Sequence, residues 1–373
     1  ETLRLADQAG GGDTINLITT QKFRDPSAWY HFVIAIDTTQ STNTNRVKFY
    51  WNGTQITSFG TTTYPDQNDD LKIFEGGQTD KEVIGGINGT TSDGEFYLAE
   101  FVYIDGTQYA ASDFGEFDED SPTIWKPKDV SGLTFGNQGF HLDFENSSSL
   151  GNDAAGSHNF GTVNNLAATD QSVDSPTNNF ATLNPLNPIV HAFEEGNLKI
   201  DGGSDNWDSA FSTIGTANGK WYFEMKFLAL QGGLIRAAMG VVDARDQTLM
   251  ATNEVGYNLT GTVGDSVGYN GNGTSNNIKK NDSNVANGTQ WSVNDIICMA
   301  VDCDNGGVYF RVNGGSWLNS ADPTSGDSLT GAITITTGQT YVVGGTAYGS
   351  STEWEFNFGS PSYSESGGNS DGN

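Results

Sequence analysis

Trp29-Tyr-His-Phe-Val-Ile-Ala-Ile-Asp37, continued after a polar turn by Val47-Lys-Phe-Tyr-Trp-Asn52-Gly53, is a design this chain uses twice. The second version runs from Trp291 through Ile296-Ile-Cys-Met-Ala-Val-Asp302, then Cys303-Asp-Asn-Gly-Gly307, then Val308-Tyr-Phe-Arg-Val-Asn313-Gly314. Each is a Trp, an apolar run ending in Asp, a polar turn and a second run closed by Asn-Gly. Runs of β-branched and aromatic residues bounded by Asn, Asp and Gly read as paired strands. The closing Asn-Gly suits a type I′ turn, whose two central residues both need positive φ. The versions are not copies: eight residues separate Trp29 from Asp37 and eleven separate Trp291 from Asp302. They predict two β-sandwich domains in tandem, each built around one central hairpin.

The rest of the composition agrees. The 373 residues include 48 glycines, and no stretch sustains the 3.6-residue apolar period of a helix, so the class is all-β with two tandem antiparallel, jelly-roll-like sandwiches. In residues 1–145 the strand candidates are Thr14–Thr19, Tyr30–Ile36, Val47–Trp51, Leu71–Phe74, Val83–Ile87, Phe96–Ile104 and Gly139–Phe144, with one short helix at Tyr109–Phe117. Residues 146–188 are Asn/Ser-rich and end in prolines, which reads as a linker, although Leu150, Phe160, Val163, Leu166 and Phe180 give it something to pack with. In residues 189–363 the candidates are Asn197–Ile200, Lys220–Leu228, Ala237–Val242, Asp265–Tyr269, Asp295–Val301, Val308–Val312, Tyr341–Ala347 and Trp354–Phe358. Residues 364–373 form a polar Gly/Ser-rich tail. Opening at Glu1 inside a strand-like run (Thr2-Leu-Arg-Leu), the chain reads as part of a longer one.

The net charge of −29 is spread along the chain, and no segment is basic. Phosphate neutralisation has no donors, so nucleic acid is excluded as a partner. No transmembrane run or signal peptide is present, and an acidic surface suits an extracellular setting. Cys298 and Cys303 lie five apart on one strand, hence on opposite faces, which makes an intrastrand disulfide geometrically poor.

Three motifs in the second domain, Gly219-Lys-Trp-Tyr-Phe-Glu224, the Trp291…Asn313-Gly314 hairpin and Phe356-Asn-Phe-Gly359, resemble the SPRY family. That resemblance implies a binding module without chemistry of its own, presenting loops to a partner. In the first domain Trp29-Tyr-His-Phe-Val33, Val47-Lys-Phe-Tyr-Trp-Asn-Gly-Thr-Gln-Ile56 and Phe96-Tyr-Leu-Ala-Glu-Phe-Val-Tyr-Ile-Asp105 resemble a concanavalin A-like, laminin-G-type lectin domain lacking its opening strands. The join, with Ile124-Trp-Lys-Pro-Lys128, Gly139-Phe-His-Leu-Asp-Phe144, Ser149-Leu-Gly-Asn-Asp153 and Asp174-Ser-Pro-Thr-Asn-Asn-Phe-Ala-Thr-Leu-Asn-Pro185, resembles a segment of marine bacteriophage virion proteins. Together the resemblances imply a non-enzymatic component of the virion exterior (a fibre, spike or capsid or tail appendage) that attaches to a host-surface glycan or protein. Its partners would be other virion proteins and that host surface, without membrane insertion, and the chain would form a homo-oligomer. The rival readings are a purely architectural capsid or tail decoration, and a secreted bacterial adhesin or glycoside hydrolase.

Candidate ligand-binding residues are aromatics near turns of the second domain: Trp207, Tyr257, Tyr269, Trp317 and Tyr348. No catalytic residue is assigned. Glu116-Phe-Asp-Glu-Asp120 approaches the carboxylate array of a retaining glycosidase, but it ends in Asp and reads as loop. No cofactor or metal is assigned either. Asp302-Cys-Asp304-Asn305 and Asp66, Asp69 and Asp70 are oxygen-rich groups that leave calcium as an alternative. Histidines 31, 141, 158 and 191 show no metal-ligand spacing.

Overall fold

The computed structural model describes residues 2–9, 12–25, 28–71, 73, 96–156, 158–160, 168, 171, 174–177, 179–187, 192–202, 205–273 and 275–359. The chain divides into two compact units, Glu1–Gln171 with Ser175–Asn179 and Ser172–Asp174 with Phe180–Asn373. The expected strand Val83–Ile87, most of Leu71–Phe74, His191 and the polar tail lie outside the described residues.

In the first unit the strands are β1 (Arg4–Ala9), β2 (Gly12–Thr19), β3 (Phe32–Ile36), β4 (Val47–Trp51), β5 (Thr54–Ile56), β6 (Phe59–Thr63), β7 (Phe101–Tyr103), β8 (Gly115–Phe117), β9 (Trp125–Pro127) and β10 (Phe140–Leu142). They form antiparallel sheets β1-β2-β6 and β3-β4-β5 and the ribbons β7–β10 and β8–β9. Successive side chains of a strand point to opposite faces. Ile15 and Leu17 of β2 therefore share one face, and they meet Val47, Phe49 and Ile56 of β4 and β5 in a single buried cluster. That is a sandwich core.

Two expectations change here. The helix shrinks to α1 (Ala111–Phe114), one turn, because Gly115 is extended and opens β8 instead. The run Phe96–Ile104 keeps only β7, since Glu100 takes φ 56 and interrupts the extended backbone. The start of Glu116–Asp120 is accordingly strand, not loop, paired with Trp125–Pro127.

The second unit holds β11 (Ala192–Glu194), β12 (Lys199–Asp201), β13 (Trp207–Phe211), β14 (Lys220–Ala229), β15 (Ile235–Asp243), β16 (Ser266–Gly273), β17 (Ser275–Lys280), β18 (Ser283–Asn287), β19 (Ile296–Asp302), β20 (Gly307–Val312), β21 (Ile333–Thr334), β22 (Tyr341–Tyr348) and β23 (Glu353–Asn357). Their antiparallel orders are β11-β12-β23-β14-β19-β20-β21 and β13-β22-β15-β16-β17-β18. Phe223, Met225 and Phe227 of β14, Ile297, Met299 and Val301 of β19 and Trp354 and Phe356 of β23 face Ala237, Met239 and Val241 of β15 and Val343 of β22 in one core. At about 25 cal/mol per Å2 of apolar surface removed from water, each large side chain here contributes roughly 2–3 kcal/mol. The opposite face of the six-stranded sheet is covered as well. Phe211, Val242 and Val342 pack there against Met250, Ala251 and Val255, residues of a strap around α2 (Gln247–Met250). Polar contacts fix that strap: Val255 N–H donates to Thr346 Oγ1 at 2.9 Å, and Asn270 Nδ2 to Glu254 Oε1 at 2.8 Å.

The segment expected as a linker is divided between the units. Leu150 is buried, and Phe160 meets Phe140 edge-on at 5.0 Å, whereas Leu183 lies in the second unit's core and Asn187 Oδ1 accepts from Phe211 N–H.

Candidate functional site

Strand β4 sends Val47 and Phe49 into the first unit's core and Tyr50 to the other face. On that face a cleft of about 590 Å3 opens, lined by Tyr50, Gly53, Ser112, Glu116, Phe117, Trp125 and Lys128. Ligand pockets fall in this size range.

Trp125 is the wall, and its position is over-determined. Its indole N–H donates to His31 Nδ1 at 3.1 Å. A Cβ on Gly53 would lie 2.2 Å from the ring, and one on Gly115 would lie 2.4 Å from the indole nitrogen. Only glycine fits at either point, and Gly53 also needs its φ of +74°. Phe117 stands edge-on to Trp125 with centroids 5.0 Å apart and is half exposed. The His31 bond requires the neutral imidazole, and burial holds the His31 pKa below the usual histidine value.

Charge at the cleft is balanced. Glu116 lies 4.0 Å from both Lys126 and Lys128, and Lys126 Nζ reaches Asp118 at 3.3 Å. Hydrogen bonds from the Ser121 N–H and Lys126 hold the Asp118 carboxyl below its ordinary value. A glycosidase general acid needs the opposite, a carboxyl kept protonated. The cleft thus offers flat aromatic faces beside a compensated ion-pair cluster, which suits a neutral ligand carrying both CH faces and hydroxyls.

The five aromatics expected to bind ligand separate into distinct places. Tyr269 is fully buried, because β16 turns it inward, where it packs edge-on against Trp291 at 4.5 Å. It is a core residue rather than part of a recognition surface. Tyr257 is half-buried beside the strap with the Lys279 ammonium 3.7 Å from its ring centroid. Trp317 carries the Arg311 guanidinium at 4.6 Å. Trp207 and Tyr348 come together as cross-strand neighbours, rings 5.0 Å apart, with Arg236 at 4.7 Å over Tyr348. Four of the five therefore stand in aromatic–cation stacks or beside one, and the cations were not foreseen. Register between distant strands sets the Trp207, Tyr348 and Arg236 row, whereas Trp317 meets Arg311 from the loop that follows the same strand.

The oxygen-rich groups have ordinary roles. Asp302 accepts from Asp304 N–H, Asn305 N–H and Asn305 Nδ2 at 2.9–3.1 Å and meets Lys220 Nζ at 3.5 Å, which ties the hairpin turn. Asp66, Asp69 and Asp70 sit in the turn region after β6, where Asp69 N–H bonds the Asp66 carbonyl. Among the described residues no three His, Cys, Asp or Glu groups converge as a metal site. Cys298 and Cys303 are free and buried in different clusters. Among the described residues no helix is long and apolar enough to cross a membrane.

No protein-family model matches the chain. No curated protein matches it either. Among solved structures it is similar to the SPRY domain of human HERC1, at 12% identity over 47% of this chain and 96% of that one, with a TM-score of 0.36. A human SPRY domain matches at 12% identity over 48% of this chain and 98% of its own, TM-score 0.33. The TRIM65 PSpry domain does so at 12% over 48% and 91%, TM-score 0.32.

Proposed function

We propose that this chain is a non-enzymatic attachment protein of a virion exterior, and that its first unit holds a host-surface saccharide in the Trp125 cleft. The observation that carries the binding reading is the cleft itself: Tyr50, Phe117 and Trp125 brought together from separate elements, with Trp125 locked by His31 and two glycines. Aromatic faces take the apolar CH face of a sugar ring, and the polar rim takes its hydroxyls. The virion setting is supported by the acidic composition and by the resemblance of the join between the units to virion proteins. A single shallow site binds weakly, and many copies on one particle raise the effective affinity through multivalency.

A glycan array probed with the full chain tests the binding. Binding to at least one neutral glycan is expected, with a loss of tenfold or more, about 1.4 kcal/mol, in Phe117→Ser, whose half-exposed position leaves folding intact. No glycan bound, or equal binding by that variant, overturns the reading. Immunogold labelling of intact particles tests the location, and label absent from the particle surface overturns it.

A further inference from the structure

We propose that Trp207, Tyr348 and Arg236 form a second docking site, in the other unit, for an acidic segment of a partner protein whose carboxylate engages Arg236. The row is built by strand register. Trp207 of β13 lies opposite Tyr348 of β22, and Arg236 is one step beyond the Ala237–Ala347 pair, so all three side chains share a face. This is the face whose next row, Ser209 and Thr346, is buried and bonded beneath the strap. The Trp207 row is half-exposed where that cover ends.

Arg236 stands apart from the other cations of this unit. Arg245 is spent on Asp243, Lys280 on Asp265, Lys220 on Asp302, and Lys199 on Glu194 and Glu353. Lys279 donates to the Tyr257 hydroxyl and Arg311 to that of Tyr222. Arg236 forms no hydrogen bond or ion pair with a described residue; its contact is the Tyr348 ring. In a chain of net charge −29, a guanidinium over a tyrosine ring and without an ion pair among the described residues offers its donor fork to a carboxylate. Trp, Tyr and Arg side by side are also the residue types that dominate protein–protein hot spots, which favours a protein segment over a free anion. The acidic chain repels such a partner at long range, so moderate salt should speed association while the contact with Arg236 persists.

The test selects a random dodecapeptide display library on the full chain. Enriched peptides should share an Asp or Glu beside an apolar residue. Arg236→Gln should weaken them tenfold or more, and Arg236→Lys should weaken them by less. Replacing the peptide's Glu with Gln should cost as much as Arg236→Gln and add nothing when the two are combined. Because Arg236 makes no hydrogen bond or ion pair with a described residue, a thermal melt of Arg236→Gln should match the parent. The proposal is overturned if no acidic peptide is enriched, if Arg236→Gln binds the enriched peptides equally well, or if pentagalacturonate binds through Arg236 while no peptide does.

Discussion

In the first unit the Asn52-Gly53 turn sends the chain straight back as β5; in the second, the same dipeptide at Asn313-Gly314 releases it toward Trp317. The turns themselves agree closely. Asn52 and Gly53 have φ of 45° and 74°, and Asn313 and Gly314 have 51° and 65°. Asn52 Oδ1 accepts from the His31 N–H at 2.9 Å, and Asn313 Oδ1 accepts from the Ile296 N–H at 2.7 Å. Each Asn thus adds a side-chain rung where the backbone ladder ends. What differs is the third residue after the glycine. Ile56 drops into the core and draws β5 along, whereas Trp317 stacks on Arg311 outside it. Turn geometry is local; whether a strand follows depends on what the next residues can bury.

The two units should respond most differently to a change at that third residue. Ile56→Ala should destabilise the first unit by about 2–5 kcal/mol through lost burial and a residual cavity. Trp317→Ala should cost the second unit about 1 kcal/mol, the worth of a partly exposed cation–π contact. Hydrogen exchange with mass spectrometry resolves the units, and equal losses would contradict the distinction drawn between the two positions.

The two turns should respond alike, and by less. Asn52→Ala and Asn313→Ala each replace a residue that tolerates positive φ by one that does so less well and remove the side-chain rung, so each should cost about 1–3 kcal/mol. The two values should agree if the turn is governed locally, and denaturant midpoints for the pair will show whether they do.

The smallest contrast lies in the aspartates that end β19 and follow β3. Burial works against the charge of Asp302, but hydrogen bonds from Asn305 and the ammonium of Lys220 outweigh it and hold the carboxyl below its ordinary value. Asp37 is also held low, by Thr39 and Gln40, but it is only half-buried. A carboxyl lowered in the folded state contributes stability above its unfolded value, about pH 4, and that contribution is lost as pH falls through the folded value. Acid titration should therefore weaken the second unit below about pH 4 by an increment that Asp302→Asn removes. The matching increment at Asp37 should be smaller and should shrink with added salt.

Strand alternation and Asn-Gly punctuation made both central hairpins and most of the second unit's long strands legible from residues alone. Polar strands escaped: β17 and β18 are Asn-, Ser- and Lys-rich, and β6 is mostly Thr and Gly, because hydrogen bonding to a neighbour rather than apolar periodicity makes them strands. The cleft was invisible for a different reason. Tyr50 and Trp125 are far apart in sequence, and neither carries a local mark of their meeting. Ile124-Trp-Lys-Pro-Lys128 was conspicuous only as a resemblance, and Gly53 only as a turn residue, although its missing side chain is also what seats the indole. Tyr269 looked like a surface aromatic near a turn because its inward parity is set by pairing with Ile278 and Met239.

The bond between Trp125 and His31 ties the wall of the first unit's cleft to a group that titrates. As the pH falls through the lowered pKa of His31, Nδ1 gains a proton, and the indole N–H then faces a donor instead of an acceptor. The wall then keeps its seat on Gly53 and Gly115 but loses its one hydrogen bond to His31. If the cleft holds the saccharide proposed for it, its affinity should fall on acidification, which a saccharide titration from about pH 7 to about pH 4 would trace.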